Sequence, residues 1–351
     1  MTNTSIKATV TPFDEYKGQQ IFKLSLTNQH GVTVSALTLG ATLYEILVPD
    51  NNGNHANLVL NYAHSGDYLD NPFYVCQALG RTGGRIGNGE MPLNGKTYTL
   101  PTNEGSTTLH GGPNGFNSQI WEGHINTVND APEICLTHRQ LSSEDGYPGD
   151  MDAEIHYGLT EDDKVVITFT ASSNKTTVFN PTIHTYFNLG TTDTIKDHTL
   201  AIKSDEHLDF DANKIPTGRL IPVADTPFDF RKATRLGDAI DGMMDTPEKG
   251  FDDIFKVNPD RNDLIAILSD PESGRSVEVE SARNGLVVFT ANSFTQEHMN
   301  FVRSNGVGIP YEGVALEAQN LPDATKHTGF GDITLPEGQK VTRQIRYGVK
   351  Y

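Results

Sequence analysis

The sequence predicts an all-β protein built of antiparallel sheets, and three observations carry that expectation. Short segments alternate apolar and polar residues with period two, 33 Gly and 18 Pro punctuate them at close intervals, and no segment sustains the 3.6-residue stripe of an amphipathic helix. Strands without alternating helices exclude a doubly wound parallel sheet. They leave sheets packed face to face or closed into a barrel, and a large sandwich is expected.

Taken along the chain, residues 32–39 form the first strand expected. Asn94-Gly95 joins residues 90–93 to 97–100, because Asn-Gly supplies the positive φ angles of a tight hairpin. Residues 134–138, 151–159 and 164–172 read as further strands, the last two joined by the charged turn at 160–163. Residues 235–243 offer at most one or two helical turns. Arg283-Asn284-Gly285 is expected to make a second hairpin between 277–282 and 286–291. No fixed-period repeat and no linker-like segment divides the chain, so one domain over residues 1–351 is expected.

The chain has 351 residues with 27 Lys+Arg against 45 Asp+Glu, a formal net charge of −18. A surface this acidic repels a polyanion, which excludes nucleic-acid binding driven by phosphate neutralisation. A hydrophobic share of 36% with 16 Phe and 12 Tyr is enough to offset the entropy of ordering. Cys76 and Cys135 are too few for a disulfide framework, and residues 1–12 lack the basic-then-apolar layout of a secretory signal. No apolar run approaches the roughly 18 to 20 residues that span a bilayer. A cytoplasmic protein without a membrane role is therefore expected, and the sequons at Asn3 and Asn174 carry little weight.

Several familiar motifs fail. Gly95-Lys96-Thr97 resembles the end of a phosphate loop, but Glu90 stands where its first glycine belongs and a strand follows. The histidines and cysteines do not fall at zinc spacings, and there is no G-x-S-x-G elbow. More informative is the stretch 180–189. Period two puts Ile183, Phe187 and Leu189 on a core face, and Asn180, Thr182, His184, Tyr186 and Asn188 on the other. A solvated sheet face would explain such a stripe, yet such faces seldom collect His, Tyr and two Asn with so little charge. The stretch 313–323 sorts Val314, Leu316 and Ala318 from Ala315, Glu317 and Gln319, leaving Glu317 as a lone carboxylate whose plainer explanation is an exposed edge charge. Two arginines among glycines at 80–86, and His110 before Gly111-Gly112, add polar groups on loops. A phosphate site, a bare turn or a surface histidine would account for these equally well.

Six blocks, in order over nearly the whole chain, carry a resemblance. They are Gly80-Arg81 to Arg85-Ile86; Leu109-His110-Gly111-Gly112 with Gly115-Phe116 and Trp121-Glu122; 145–150; 180–189; Gly250-Phe251-Asp252; and Leu316-Glu317-Ala318-Gln319-Asn320-Leu321-Pro322-Asp323. In combination the sequence resembles the aldose 1-epimerases, or galactose mutarotases. The resemblance implies a large antiparallel β-sandwich of the galactose mutarotase type, with a sugar cleft on one concave sheet. It implies Glu317 as general base and His184 as general acid, His110 as a second histidine holding the sugar, Arg85 and Asp252 as partners of sugar hydroxyls, and Gln319 as an orienting group. The implied reaction opens and recloses the ring of a free aldose such as galactose or glucose. One base and one acid suffice for it, without metal or cofactor. In water a glutamate of pKa about 4.3 is ionised and a histidine near 6.5 is partly protonated. Gly84 departs from the Asn, and Asp253 from the His, that many members carry, which bears on substrate identity. A disaccharide such as maltose is the alternative substrate. A hexose-6-phosphate epimerase, a glycoside hydrolase using Asp252 and Glu317, and a non-catalytic sugar-binding module are the competing readings. A small-molecule sugar is the only partner expected, with the chain a monomer or homodimer.

Overall fold

Antiparallel ladders build the three large sheets of the computed structural model, which describes residues 6–50, 53–303 and 308–351. The Asn3 sequon lies outside those residues. A five-stranded sheet runs in chain order through Lys7–Tyr16, Gln19–Thr27, Thr33–Leu37, Leu43–Pro49 and His55–Asn57. A nine-stranded sheet is ordered Glu122–Val128, Ala131–Gln140, Met151–Leu159, Lys164–Ser173, Lys340–Lys350, Ser276–Glu280, Leu264–Ser269, Thr199–Ile202 and Thr234–Arg235. A six-stranded sheet is ordered Tyr186–Phe187, Val314–Gln319, Gly285–Phe289, Asp252–Val257, Ser204–Phe210 and Pro216–Pro222.

Period-two patterning decides which side chains meet. Along Met151–Leu159 every second residue, Met151, Ala153, Ile155, Tyr157 and Leu159, is buried. These join one apolar cluster that gathers residues from Ile21 to Val349 and from all three large sheets. Each fully buried aliphatic side chain contributes about 1.5–3 kcal/mol. In the six-stranded sheet, Val314, Leu316 and Ala318 enter the same cluster beside Leu286 and Val288. Glu317 is thereby turned to the opposite face, where Ile254, Val287 and Leu321 form a smaller apolar cluster.

The hairpin at Asn94-Gly95 forms as expected, with φ of 50° and 76°. So do the pair Met151–Leu159 and Lys164–Ser173 and a short helix at Leu236–Asp241. The second expected hairpin does not form. Ser276–Glu280 belongs to the nine-stranded sheet and Gly285–Phe289 to the six-stranded one. Arg283, Asn284 and Gly285 all lack positive φ, so they cannot make the tight turn and instead carry the chain across the sandwich. The Arg283 guanidinium is buried there and donates to the Pro181 and Ala318 carbonyls.

Candidate active site

Two ladders meet at His184. Thr182–Ile183 pairs with Ala78–Leu79, and Tyr186–Phe187 pairs with Val314 and Ala315. Between them the His184 amide donates to the Gln77 carbonyl, its carbonyl accepts from Cys76, and the Thr185 carbonyl accepts from the Leu316 amide. The expected single strand over 180–189 is thus two short strands with different partners. That change of partner brings the His184 ring against the strand bearing Glu317. His184 Nε2 stands 3.2 Å from Glu317 Oε1, both residues buried. The imidazole lies near-parallel to the Tyr186 ring at 4.8 Å and to the Tyr74 ring at 6.2 Å, which restricts its orientation.

His110 comes from a loop locked onto the Gly84 backbone. Its amide donates to the Gly84 carbonyl and its Nδ1 accepts from the Gly84 amide at 3.1 Å. Gly111 must be glycine here, since a Cβ would lie 1.9 Å from the Gly80 carbonyl oxygen. Arg85 pairs in register with Leu109. Its guanidinium donates to both Glu104 carboxylate oxygens at 2.7 and 3.0 Å, and Nη2 lies 3.5 Å from Asp252 Oδ2. His110, His184, Glu317, Arg85, Glu104 and Asp252 together line one cavity, whose remaining wall is largely aromatic and apolar, with Phe73, Tyr74, Tyr186, Ile254, Val287 and Phe289.

Burial governs the protonation states in the cavity. It raises the Glu317 pKa to about 8, with Asp252 adding to the rise and Arg85 opposing it. It lowers His184 to about 3, helped by Arg85. It also holds His110 well below the usual histidine range, helped by His184 and Arg85. The expectation of an ionised glutamate beside a partly charged histidine, drawn from values in water, is therefore corrected. At neutral pH these shifts favour a protonated carboxyl beside a neutral imidazole.

The comparisons with known proteins agree with this constellation. The family model for aldose 1-epimerase matches residues 23–348. The maltose epimerase of Levilactobacillus brevis is 41% identical over 332 residues, covering 94% of this chain and 95% of that protein. The aldose 1-epimerase of Streptococcus thermophilus is 42% identical over 332 residues, covering 93% and 94%. Among solved structures, galactose 1-epimerase from Lactobacillus acidophilus superposes with a TM-score of 0.85 at 28% identity, covering 99% of both chains. The chain belongs to the aldose 1-epimerase family. Family members of this type are isomerases, and the antiparallel sandwich expected from the sequence is the fold of these relatives.

Within this epimerase fold, five of the six expected site residues line one cavity and the sixth does not. Gln319 is fully buried behind the wall. Its amide packs against Gly83 and Gly84, where a Cβ at Gly83 would lie 2.1 Å from Oε1. Neither amide atom has a hydrogen-bond partner among the described residues. The glycine loop and Pro322 come between Gln319 and the cavity, so direct contact with substrate is corrected to a place behind it. The polar stripe at 180–188 is corrected likewise. Only His184 and Tyr186 reach the cavity. Asn180 exchanges hydrogen bonds with the Asn320 backbone, Thr182 donates to Ala318 O and Asn188 to Glu312 O. These bonds bracket the Glu317 strand and hold it in place.

Arg81, one of the two arginines among the glycines at 80–86, is fully buried and forms a bidentate pair with Asp145. Asp253 is buried and does not line the cavity; burial raises its pKa to about 6. Gly84, where many members carry Asn, lines the cavity, and a Cβ there would meet Pro322 at 2.6 Å. Sequence reasoning missed Glu104, Tyr74, Lys214 and Phe289, all in the cavity wall. Glu104, at Asn103-Glu104-Gly105 shortly before His110, was the only one with a local signal, an acid in a turn. Lys214 Nζ pairs with Glu248 at 3.1 Å and bonds the Asp252 carbonyl. Among the described residues, both cations lining the cavity, Arg85 and Lys214, are thus matched by carboxylates, with no surplus positive charge for a phosphate dianion.

Proposed function

We propose that this epimerase interconverts the α and β anomers of a free aldose, glucose or galactose, with Glu317 as base and His184 as acid. The 3.2 Å contact between them in the cavity wall carries the reading. Sugar enters with its C1 hydroxyl at Glu317 and its ring oxygen at His184. The single proton of the pair passes from carboxyl to imidazole across that contact, which makes carboxylate and imidazolium without exchange with water. Glu317 then takes the proton of the C1 hydroxyl as His184 delivers its own to the ring oxygen. The O1–H electron pair becomes the second bond of the aldehyde, and the C1–O5 bond breaks. Half a turn about C1–C2 and the reverse proton flow give the other anomer. Each positioned proton transfer contributes about 10²- to 10⁴-fold.

Arg85 and Asp252 are assigned to the sugar hydroxyls. Because His110 Nδ1 accepts from the Gly84 amide, its proton sits on Nε2, and His110 is a hydrogen-bond donor to the sugar. That tautomer also bears on metals. His110, His184 and Glu317 could place ligand atoms within 4.8 Å of one another, yet the remaining nitrogen of His110 carries a proton and offers no lone pair. A base and an acid account for the reaction without a cofactor. The free, buried cysteines fit a reducing compartment such as the cytoplasm, and we read the chain as one catalytic unit, monomeric or homodimeric. Polarimetry on freshly dissolved α-glucose and α-galactose tests the reading. Optical rotation should relax far faster than in buffer; relaxation at the buffer rate would make the protein a sugar binder instead.

A further inference from the structure

A second cavity, of about 370 Å³, shares no lining residue with the catalytic one. It opens beside the crossover at 281–284, and Arg283, Arg343 and Arg346 line it together with Asp263, Glu280 and Asp332. We propose that this cavity is an anion site, and that it takes a small oxyanion of the phosphate type between Arg283 and Arg343. The proposal stands apart from the epimerase reading of the other cavity.

The carboxylates around it are unevenly shared. Glu280 Oε1 accepts from Lys164 at 2.8 Å and Oε2 from Arg346 at 2.6 Å, and Asp263 Oδ2 accepts from Arg346 at 3.1 Å. Arg346 and Lys164 thus take up two of the three acids. Asp332 Oδ1 accepts from the Thr334 amide, and Arg343 donates to the Asp332 backbone carbonyl at 3.3 Å. Arg283 donates to the Pro181 and Ala318 carbonyls. Among the described residues, Arg283 and Arg343 therefore bond backbone carbonyls and pair with no carboxylate.

Two further observations point to a ligand. The Nε atoms of Arg283 and Arg343 are both buried without a hydrogen-bond partner among the described residues, and buried polar atoms of that kind mark a place for an ion or a water. Burial, with Arg343 adding to it, lowers the Arg283 pKa to about 9, so the two guanidiniums repel each other. A buried charge without a partner is costly, and an oxyanion between the two compensates both. Each guanidinium carries five N–H groups, of which Arg283 uses one on each of two carbonyls and Arg343 one on a third. Such a planar fork matches a pair of oxygens, which a spherical chloride does not offer. The chain as a whole carries −18, so an anion is drawn here by this pair and not by the general field. Arg283 holds the carbonyl of Ala318, the neighbour of Glu317, so the ion braces the catalytic strand from outside the reacting cavity.

Thermal unfolding in potassium phosphate and in potassium chloride of equal ionic strength, for the wild type and Arg343→Gln, tests the site. At about 10 mM, phosphate should raise the wild-type melting temperature by about 2 °C over chloride, the shift expected for a Kd of about 1 mM. Arg343→Gln removes one wall of the site and lies outside the catalytic cavity; its shift should be less than about 0.5 °C. A crystal soaked in tungstate, a tetrahedral stand-in for phosphate, should show an anomalous peak between the two guanidiniums, a readout that needs no variant. Equal melting temperatures of the wild type in phosphate and chloride would leave the cavity to water and overturn the site. A shift kept in full by Arg343→Gln, or a soaked crystal with no peak between Arg283 and Arg343, would overturn it too.

Discussion

Arg81 and Arg85 stand four residues apart in one glycine-rich stretch, yet they do opposite work. Arg81 is sealed. Its guanidinium satisfies both Asp145 oxygens and also bonds the Pro148 and Gly149 carbonyls, so the 145–150 loop is tied to the 80–86 stretch from within. Arg85 is held as tightly, by Glu104 and Asp252, but in the wall of a cavity where a ligand can reach it. Burial alone would lower the Arg85 pKa, and the two carboxylates outweigh it and raise it. The difference teaches that a charged residue in a shared motif is not thereby a site residue. What separates them is whether every donor is already spent inside the protein.

That contrast predicts different losses. Arg81→Met leaves the Asp145 carboxylate buried and unpaired, which should cost about 3–5 kcal/mol by urea unfolding, while the protein that remains folded keeps near-normal kcat. Arg85→Met leaves Glu104 and Asp252 in reach of water, so stability should change by less than about 1 kcal/mol. Its kcat/KM should fall about 10- to 100-fold, the worth of a hydrogen bond to a charged group. Equal stability losses for the two variants would break the comparison.

A smaller effect follows from the Glu317 carboxyl, whose folded pKa of about 8 lies above its value in the unfolded chain. The folded state then binds more protons than the unfolded one between about pH 4.5 and 8, so this group's contribution to stability is lost as pH rises through that window. Glu317→Gln removes the loss. The melting temperature of the variant relative to wild type should climb from pH 5 to pH 8, and a constant difference would place the Glu317 pKa near its ordinary value. His184 acts with the opposite sign lower down. Its folded pKa of about 3 makes its contribution rise with pH between about 3 and 6.5.

Local patterns were legible where local physics decides the outcome. Asn94-Gly95 turns because its φ angles are positive, and Met151–Leu159 shows its period because one face is buried. Arg283-Asn284-Gly285 misled because tertiary packing, with the Arg283 guanidinium on Pro181 and Ala318, took the chain across the sandwich instead of back on itself. Glu317 and His184 were found through the blocks that surround them. Their contact depends on a change of pairing partner at residues 184–185, which no periodicity announces. Lys214, Tyr74 and Phe289 reach the cavity from a loop, a turn and a strand far apart in sequence, and nothing short of the fold brings them together.

Mutarotation of α-glucose followed by polarimetry, for the wild type, Glu317→Gln, His184→Asn and the double variant, tests the proton-sharing pair most directly. Each single variant should lose about 10²- to 10⁴-fold in kcat with sugar binding largely retained, and the double should lose little more than the worse single, because the two groups act as one unit. Wild-type rates in either single variant, or losses that multiply in the double, would contradict the account.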